Sequence, residues 1–296
     1  MKKVLLLAGL LASISAAHAE DTLKKLKDSG AITLGVRDSS ALSYTVGNDK
    51  YVGFHTEMGE RIIADLGKQL GKPLAVKYAL VTSANRIPLV KNGTVDLECG
   101  STTNNQARQK DVDFAFTTYV EVVRMAVRAN SGIANIKDLG GRTVSTTTGT
   151  TSVQTLRKNE RSQGIDFKEV YGKDHADSFL LLESGRADAF VMDASILAAN
   201  ISRAKNPADF KIVGPELSVE PIACMLRKDD PAFKKAVDDS IVRQIKDGSL
   251  AKLYHKWFEE PIPPAGRSLN MPPSQATLDA WAHPNDRPME DYAAKK

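Results

Sequence analysis

The feature that most constrains the fold of this chain is a strand–helix–strand order that occurs twice. In the first copy, "ITLGVRD" (32–38) and "LAVKYALV" (74–81) have the apolar, β-branched character of buried strands. Between them, "TEMGERIIADLGKQLG" (56–71) places its apolar residues on one helical face and ends at Gly71. This order is typical of a mostly parallel sheet that is covered by helices on both faces.

The second copy begins after residue 141 and has the same plan. It comprises the strand "RTVSTTT" (142–148), the helix "TSVQTLRKNERSQG" (151–164) and the strand "FKEVYG" (167–172). Each copy is followed by the same pattern, since "LVKNGTVDLECG" and "LLESGRADAFVMD" both indicate a helix, a glycine turn and a short apolar strand after an aspartate. Two α/β units of similar design are therefore expected, and 296 residues are enough for both.

The N-terminal segment indicates export. Residues 1–19, "MKKVLLLAGLLASISAAHA", combine a lysine pair, an apolar stretch and a final A-x-A, which is typical of a cleaved signal peptide and too short for a membrane anchor. The product is therefore expected to be soluble and exported. The formal net charge of +4, part of which lies in this segment, is too small to indicate nucleic acid or a membrane surface as a partner.

Two cysteines, Cys99 and Cys224, lie far apart in the chain. In an exported protein this spacing favours one disulfide over a metal site, which needs more ligands at closer spacing; two buried free thiols are the alternative. No metal or cofactor is expected, because the sequence contains no phosphate-loop, zinc-helix or EF-hand signature. His55, His255 and His283 follow no metal-binding pattern and are expected to be solvated.

Polar residues gather at the carboxyl ends of the predicted strands. Ligands of open α/β sheets bind at this edge, so we interpret "ECGSTTNNQAR" (98–108) as part of a binding site rather than a plain surface loop. The candidate residues at this edge are Arg37, Ser83, Arg86, Ser101, Thr103, Arg108, Thr150, Thr151, His175 and Asp193.

The types of these residues predict the charges of the ligand. A buried carboxylate needs paired positive charge, and arginine offers a bidentate geometry that lysine lacks. The site has more arginines than one carboxylate can pair with, namely Arg37, Arg86 and Arg108. The backbone amides of the helix that begins near Thr151 also suit an anion. Asp193 is the acceptor left for a cation, so we expect a ligand with two carboxylates and one ammonium group.

Six stretches carry a specific resemblance, which extends over most of residues 21–264. They are "TSANRIPLVKNGTVDLECGSTTNNQARQ", "SGRADAFVMD", "GTTS", "KDHADSF", "CMLRKDDPAFKK" and "KWFEEPIPP". In them the chain resembles the periplasmic solute-binding proteins of polar amino acid ABC importers (family 3), most closely the glutamate/aspartate-binding branch. The resemblance implies a type II α/β fold, in which two lobes, each a mostly parallel sheet flanked by helices, are joined by two crossover strands around a ligand cleft.

The same resemblance implies where the parts of the chain begin and end. The crossover strands are expected near 118–121 and 217–220. The implied parts are a signal peptide (1–19), lobe 1 (20–117 plus 221–264), lobe 2 (122–216) and an extended C-terminal tail (265–296). Cys224 then lies on a strand that returns to lobe 1 beside the strand of Cys99, which favours the disulfide.

Roles for the candidate residues are implied in the same way. Arg108, helped by Thr103 and the amide of Thr151, resembles the clamp on the ligand's α-carboxylate, and Asp193 with Ser101 resembles the acceptors of its ammonium group. The residues implied for the ligand's side-chain carboxylate are Arg37, Ser83, Arg86, Thr150 and His175. The family often has an aromatic wall within a Pro-Phe-Ser-Tyr-like segment, where this chain has "SSALSYTVG"; either Tyr44 supplies the wall or the wall is missing.

The function that the resemblance implies is a periplasmic receptor for L-glutamate and L-aspartate. It is expected to be a monomer that closes on its ligand and delivers it to a membrane permease coupled to a separate ATPase. One alternative is a dehydratase-like enzyme on the same scaffold, for which His175 with Glu98 is the only acid/base pair that the sequence offers. The other is a soluble module that reports amino acids to a membrane sensor. The sequence predicts no preference between the two acids.

Overall fold

The computed structural model of the chain describes residues 21–293, so the predicted signal peptide at 1–19 lies outside the described residues. The helices of the described chain are α1 (Thr22–Ser29), α2 (Phe54–Leu70), α3 (Arg86–Lys91), α4 (Thr151–Gln163), α5 (His175–Glu183), α6 (Ala194–Arg203), α7 (Pro231–Lys246), α8 (Ser249–Phe258), α9 (Gln275–Ala282) and α10 (Met289–Ala293). Its strands are β1 (Ala31–Val36), β2 (Tyr44–Thr45), β3 (Tyr51–Val52), β4 (Ala75–Leu80), β5 (Leu97–Glu98), β6 (Val112–Phe114), β7 (Tyr119–Arg128), β8 (Thr143–Thr147), β9 (Lys168–Gly172), β10 (Ala189–Asp193), β11 (Phe210–Ile222) and β12 (Met225–Arg227).

The first sheet belongs to lobe 1 and has the strand order β4-β1-β5-β12-β6. Its β1 strand runs parallel to β4 and β5, whereas β12 runs antiparallel to β5 and β6. The main core of this lobe includes Met58 and Ile62 from α2, Phe233 from α7 and Trp257 from α8. Because β1, β4 and β5 are parallel, their carboxyl ends meet at one edge of the sheet.

The second sheet belongs to lobe 2 and has the strand order β11-β7-β10-β8-β9. Its β8 strand runs parallel to β9 and β10, and β7 runs antiparallel to β10 and β11. Phe190 and Val191 are neighbours in β10 but belong to two different hydrophobic clusters, because successive strand residues point to opposite faces. Helices and loops therefore cover both faces, and the predicted architecture of two α/β lobes is confirmed.

The two lobes are joined through β7 and β11, which form a long antiparallel pair. Tyr119 lies opposite Ile222 at one end of this pair, and Arg128 lies opposite Phe210 at the other. The register shifts between Val213 and Ser218. The segments predicted as crossovers lie side by side in this pair, which we call the hinge strands. The exact limits of the lobes stay a prediction.

Local sequence signals explain several helix ends. The α2 helix ends at Gly71, whose φ of 74° is in the left-handed region that glycine adopts without steric cost. The α7 helix begins with Pro231, and the side chain of Asp230 accepts a hydrogen bond from the amide of Phe233 at 3.1 Å. Aspartate before the helix and proline in its first turn are both typical of an N-terminus.

The C-terminal segment is helical at α9 and α10, although the sequence analysis predicts it to be extended. It packs on the first hinge strand and the segment that leads into it. The indole Nε1 of Trp281 donates to Thr118 O at 2.8 Å, and Thr277 Oγ1 accepts from the amide of Val120 at 3.0 Å. The prolines of this segment therefore separate short helices, which the sequence pattern did not reveal.

Cys99 and Cys224 form a disulfide within lobe 1, as the sequence favours. The antiparallel pairing of Glu98 with Met225 places the two cysteines side by side at the ends of β5 and β12. Among residues 21–293, no helix is both long and apolar enough to cross a membrane. The same residues contain no group of three or more histidines, cysteines or acids that could hold a metal ion.

Candidate functional site

One end of the cleft, which we call the arginine end (Arg37, Ser83, Arg86 and His175), is centred on Arg37 directly after β1. This side chain is fully buried. Its Nη2 donates to Ser83 Oγ at 3.0 Å and to Asp174 Oδ1 at 3.1 Å, and it lies 3.1 Å from His175 Nε2. Its Nε and Nη1 are buried and have no hydrogen-bond partner in the described chain. A buried guanidinium with such N–H groups favours an anionic ligand group.

His175 is the first residue of α5 and is also buried. Burial, together with the charges of Arg37 and Arg86, lowers its pKa well below the usual value, so the ring is neutral. Since Arg37 donates to Nε2, the ring proton lies on Nδ1, which is 3.0 Å from Thr147 Oγ1 and donates to it. His175 therefore helps to fix the orientation of Arg37.

Arg86 begins the short helix α3 and is buried, with 2 % of its surface exposed. Its Nη1 donates to the backbone carbonyl of Ser101 at 2.9 Å, and its Nε has no partner within residues 21–293. Burial and the nearby charges of Arg108 and Arg37 lower the pKa of Arg86 well below its usual value. An anion bound here would relieve this repulsion.

Arg108 closes the loop 98–108 and is partly buried. Its Nη1 donates to Thr103 O at 2.8 Å, and its Nη2 donates at 3.3 Å to Gly149 O, directly before α4 in lobe 2. The hydroxyl of Thr150 donates to Thr147 O at 2.8 Å and does not cap α4. The amide groups at the N-terminus of this 13-residue helix thus face the same region as Arg108 and suit a carboxylate.

The other end of the cleft, which we call the hinge end (Glu121, Asp193 and Glu220), is rich in buried carboxylates. Glu121 and Glu220 lie opposite each other in the hinge strands, and Asp193 ends β10. Asp193 Oδ1 is buried without a hydrogen-bond partner in the described chain. Burial and the charges of Glu121 and Glu220 raise the pKa of Asp193 well above its usual value, and burial raises that of Glu121 to about 7. A cation bound here would relieve the repulsion among the carboxylates.

The lobes contact each other across the site. Gly149 of lobe 2 lies so close to lobe 1 that a Cβ atom on it would be 2.8 Å from the carbonyl carbon and oxygen of Ser83. Its φ of +82° also favours glycine. The bonds from Arg37 to Asp174 and from Arg108 to Gly149 O cross the cleft as well. The structure is therefore the closed arrangement of the two lobes.

The structure brings the ten candidate residues together in this cleft. Arg108 is partly buried and the other nine are buried. Their contacts with a ligand stay predictions. Sequence reasoning missed Glu121 and Glu220 and counted Asp193 as the acceptor left for a cation. A signal was present, since "TYVEVV" and "LSVEPI" each place one glutamate within an otherwise apolar strand.

His55 is a correction to the sequence analysis, which expected it to be solvated. It is fully buried in α2, where its Nδ1 lies 2.6 Å from Gly100 O and its Nε2 lies 2.8 Å from Thr118 Oγ1. Burial lowers its pKa to about 4, so the ring is neutral and Nδ1 donates to the carbonyl. His55 thereby connects the loop 98–108 to the segment that enters the first hinge strand.

Tyr44 settles one of the two open interpretations of the aromatic wall. Its ring belongs to the core of lobe 1, where it meets Trp257 edge-on at 5.8 Å, and its hydroxyl donates to Pro263 O at 2.7 Å. The guanidinium of Arg203 from lobe 2 lies 4.8 Å above the ring. Tyr44 is therefore occupied in the core and in a lobe–lobe contact, and it does not supply an aromatic wall at the arginine end.

With this geometry established, comparison with known families identifies the chain. The sequence model of "Bacterial extracellular solute-binding proteins, family 3" matches residues 32–260. The chain belongs to this family. The matched region includes both sheets, the hinge strands and all ten candidate residues, whereas α9 and α10 lie beyond it.

Curated relatives cover nearly the whole chain. The L-glutamate/L-aspartate-binding protein of Pseudomonas aeruginosa is 42% identical over 284 residues, which are 95% of this chain and 94% of the relative. The glutamate/aspartate import solute-binding protein of Escherichia coli is 42% identical over 283 residues, with the same coverage of 95% and 94%. The chain is therefore similar to these proteins along both lobes and the C-terminal segment.

Solved structures share the fold of this family 3 member. A mutant of ArgBP from T. maritima has a TM-score of 0.71 and 26% identity, covering 80% of this chain and 99% of that protein. The solute receptor for L-cysteine of Neisseria gonorrhoeae has a TM-score of 0.68 and 28% identity, covering 79% and 92%. These similarities confirm the type II periplasmic-binding-protein fold.

Proposed function

We propose that this chain is a periplasmic receptor that binds L-glutamate and L-aspartate in the cleft and delivers them to the membrane permease of an ABC importer. One observation carries the proposal. In the part of the chain that the structure describes, Arg37 and Arg86 have buried N–H groups without a hydrogen-bond partner at one end, and Asp193 has such an oxygen at the other. A carboxylate at the first end and an ammonium group at the second satisfy these atoms. The names of the curated relatives support the same ligands.

The proposed roles follow the polarity of the cleft. The ligand's side-chain carboxylate meets the arginine end, together with Thr150. Its α-carboxylate meets Arg108 and the N-terminal amides of α4, at Thr151, and lies beside Thr103. Its ammonium group meets Asp193 and Ser101. In this pose the two carboxylates are separated by the α-carbon and one methylene in aspartate, and by the α-carbon and two methylenes in glutamate.

Closure is the physical step that couples binding to delivery. The proposed contacts come from both lobes, so they form together only when the cleft is shut, and ligand binding shifts the population toward the closed form. An affinity near micromolar or tighter, which corresponds to about −8 kcal/mol or below, would suit uptake from dilute solution.

A thermal-shift screen of the protein without residues 1–19 tests the proposal. Glutamate and aspartate at a hundred times their dissociation constants are expected to stabilise the folded protein by about 2.7 kcal/mol. Glutamine and asparagine are matched controls because they have nearly the same size and lack the side-chain charge. A stronger response to lysine or leucine, or none to either acid, would contradict the proposal.

Within the described residues 21–293, Glu98 and His175, the acid/base pair considered for the enzyme alternative, share no hydrogen bond. Glu98 Oε2 accepts from Thr102 Oγ1 at 2.7 Å, whereas His175 contacts Thr147 and Arg37. Incubation of the protein with glutamate, followed by NMR of the recovered ligand, distinguishes the two functions. Unchanged glutamate supports the receptor, and a new product would support catalysis. Co-purification from membranes with a permease, rather than with a sensor, is the expected result for the partner.

A further inference from the structure

A single carboxylate oxygen on the second hinge strand receives hydroxyl groups from both lobes. Glu220 is fully buried in β11, and its Oε2 accepts from Thr103 Oγ1 at 2.5 Å and from Thr151 Oγ1 at 2.7 Å. Its Oε1 accepts from Ser218 Oγ at 2.8 Å. The two threonine oxygens are themselves 3.5 Å apart. Two donors thus converge on one atom.

The two threonines lie on different lobes. Thr103 is in the loop 98–108, which follows β5 of the first sheet, whereas Thr151 is the first residue of α4, which connects β8 and β9 of the second sheet. When the lobes separate, α4 moves away from the loop. One oxygen atom of Glu220 cannot then keep both bonds, so the pair of hydrogen bonds exists only in the closed form.

The hydroxyl protons of these two threonines are already used in hydrogen bonds. A threonine hydroxyl has one proton to donate, and in this structure both Thr103 and Thr151 donate it to Glu220. Their hydroxyl groups therefore do not donate to a ligand carboxylate in this closed arrangement. Arg108 and the amides at the start of α4 are left to hold the α-carboxylate, so the threonine side chains act in closure.

We propose that Glu220 is a positioning residue that holds the two lobes together in the closed form through Thr103 and Thr151, without contacting the ligand. This inference rests on the proposed function, because a receptor must keep its cleft shut long enough to deliver the ligand. Burial lowers the pKa of Arg108, and the negative charge of Glu220 lies close enough to oppose this shift. Glu220 thus supports the arginine that faces the α-carboxylate.

Substitutions that remove one partner at a time test this role in ligand dissociation. Glu220→Ala is expected to raise the glutamate dissociation rate at least tenfold in stopped-flow fluorescence, with a smaller change in the association rate. Glu220→Gln keeps an amide oxygen that can accept hydrogen bonds from both hydroxyl groups. Its glutamate dissociation rate is therefore expected to stay within about threefold of the wild-type rate. Ser218→Ala is the matched control, because that hydroxyl binds the same carboxylate without joining the lobes.

A double-substitution cycle separates the lobe–lobe role from a local one. Thr103→Val and Thr151→Val are each expected to raise the dissociation rate, and the double variant is expected to be no more than about twofold faster than the faster single variant, because both bonds are needed for one bridge. The proposal would be overturned if the factor by which the double variant raises the dissociation rate equalled the product of the factors of the two single variants. An unchanged rate in Glu220→Ala would overturn it as well.

Small-angle scattering of the ligand-free proteins makes the test independent of the ligand. Glu220→Ala and Thr151→Val are expected to have a larger radius of gyration than wild type, and Ser218→Ala the wild-type value. If wild type binds neither acid, the proposed function fails while the scattering comparison still decides the role of Glu220. If both acids bind and the radii of all variants are equal, only this inference fails. Should Glu220→Ala not fold, the threonine variants decide it.

Discussion

Among the four residues that define the arginine end of the cleft, the buried atoms without a hydrogen-bond partner in residues 21–293 are donors, namely Arg37 Nε and Nη1 and Arg86 Nε, whereas at the hinge end the corresponding atom, Asp193 Oδ1, is an acceptor. The two ends also differ in the sign of the charges that repel each other. Repulsion from Arg108 and Arg37 adds to burial in lowering the pKa of Arg86, and repulsion from carboxylates adds to burial in raising the pKa of Asp193.

The difference explains how one cleft can select a zwitterion with an additional negative group. Each end holds like charges that are unfavourable in a buried place, and each is relieved by a ligand group of the opposite sign. A neutral side chain such as that of leucine would leave the arginine end unrelieved. A dicarboxylate without an ammonium group would leave the hinge end unrelieved. The comparison therefore predicts separable losses when either end is altered.

The largest expected effect comes from the hinge end. Asp193→Ala is expected to weaken glutamate binding by about 3–5 kcal/mol, the scale for removing one partner of a buried charge pair. Glutarate has both carboxylates but no ammonium group, so its affinity should change much less. Isothermal titration calorimetry measures both, with the exposed Asp177→Ala as control. Equal losses for glutamate and glutarate would contradict the role of Asp193.

Arg86→Ala tests the arginine end and has a comparable or slightly smaller expected effect. Glutamate binding should weaken by about 2–5 kcal/mol, because the ligand carboxylate would lose a buried charged partner. Glutamine should then compete with glutamate, which it is not expected to do in wild type. The control is Arg186→Ala, at an exposed position of lobe 2. An unchanged dissociation constant in competition calorimetry would remove Arg86 from the site.

The pH dependence of folding tests whether the segment that enters the hinge requires a neutral His55. Because the folded pKa of about 4 is below the ordinary value of 6.5, the unfolded chain binds more protons between these values, and this contribution to stability is lost as the pH falls from 6.5 to about 4. The loss attributable to His55 is about 3 kcal/mol, from 1.36 kcal/mol per pKa unit.

Urea unfolding of the ligand-free protein at several pH values measures this loss. His55→Gln should show a stability profile that is flatter than wild type between pH 6.5 and 4. The control His255→Gln, at an exposed position of α8, should follow the wild-type profile. Parallel profiles for wild type and His55→Gln would show that His55 is not the group that titrates.

Ser83→Ala has the smallest expected effect. Its hydroxyl is one of three groups around Arg37 Nη2, so its removal should weaken glutamate binding by about 1 kcal/mol, the typical net value of one hydrogen bond. Glutarate should be affected equally, because the arginine end does not meet the ammonium group. Calorimetry with both ligands, and Ser162→Ala as an exposed control, checks this prediction. A loss confined to glutamate would place Ser83 at the other end of the cleft.

Much of the fold follows from local sequence. The predicted helix 151–164 is α4, Thr151–Gln163, and the short strand predicted at the end of "LLESGRADAFVMD" is β10, Ala189–Asp193. Periodicity and glycine ends are sufficient for such elements, because backbone propensity and an apolar face are properties of neighbouring residues. The C-terminal segment is different: its helix α9 is short, lies among prolines and is stabilised by packing of Trp281 and Thr277 on the hinge region, so the local pattern suggested an extended chain.

The residues of the candidate site also divide into those that local sequence predicts and those that depend on long-range packing. Arg37, Arg86 and Asp193 are predictable because each lies at the end of a strand or the start of a helix, and parallel strands bring such positions to one edge. Glu121 and Glu220 are not predictable in the same way, since their approach depends on the register of two strands about a hundred residues apart in sequence. His55 was misjudged because nothing local indicates that a helical histidine is buried between Gly100 O and Thr118 Oγ1.

By itself, the sequence determined the two α/β units, the sheet edge at which the candidate residues gather and the sign of the charges that meet there, because these depend on residue type and short-range pattern. Only the tertiary structure decided which atoms of those residues keep a free hydrogen-bonding position and which are used between the lobes. The physical reason is that a hydroxyl or guanidinium group has a fixed number of protons, and long-range packing determines where each proton is donated.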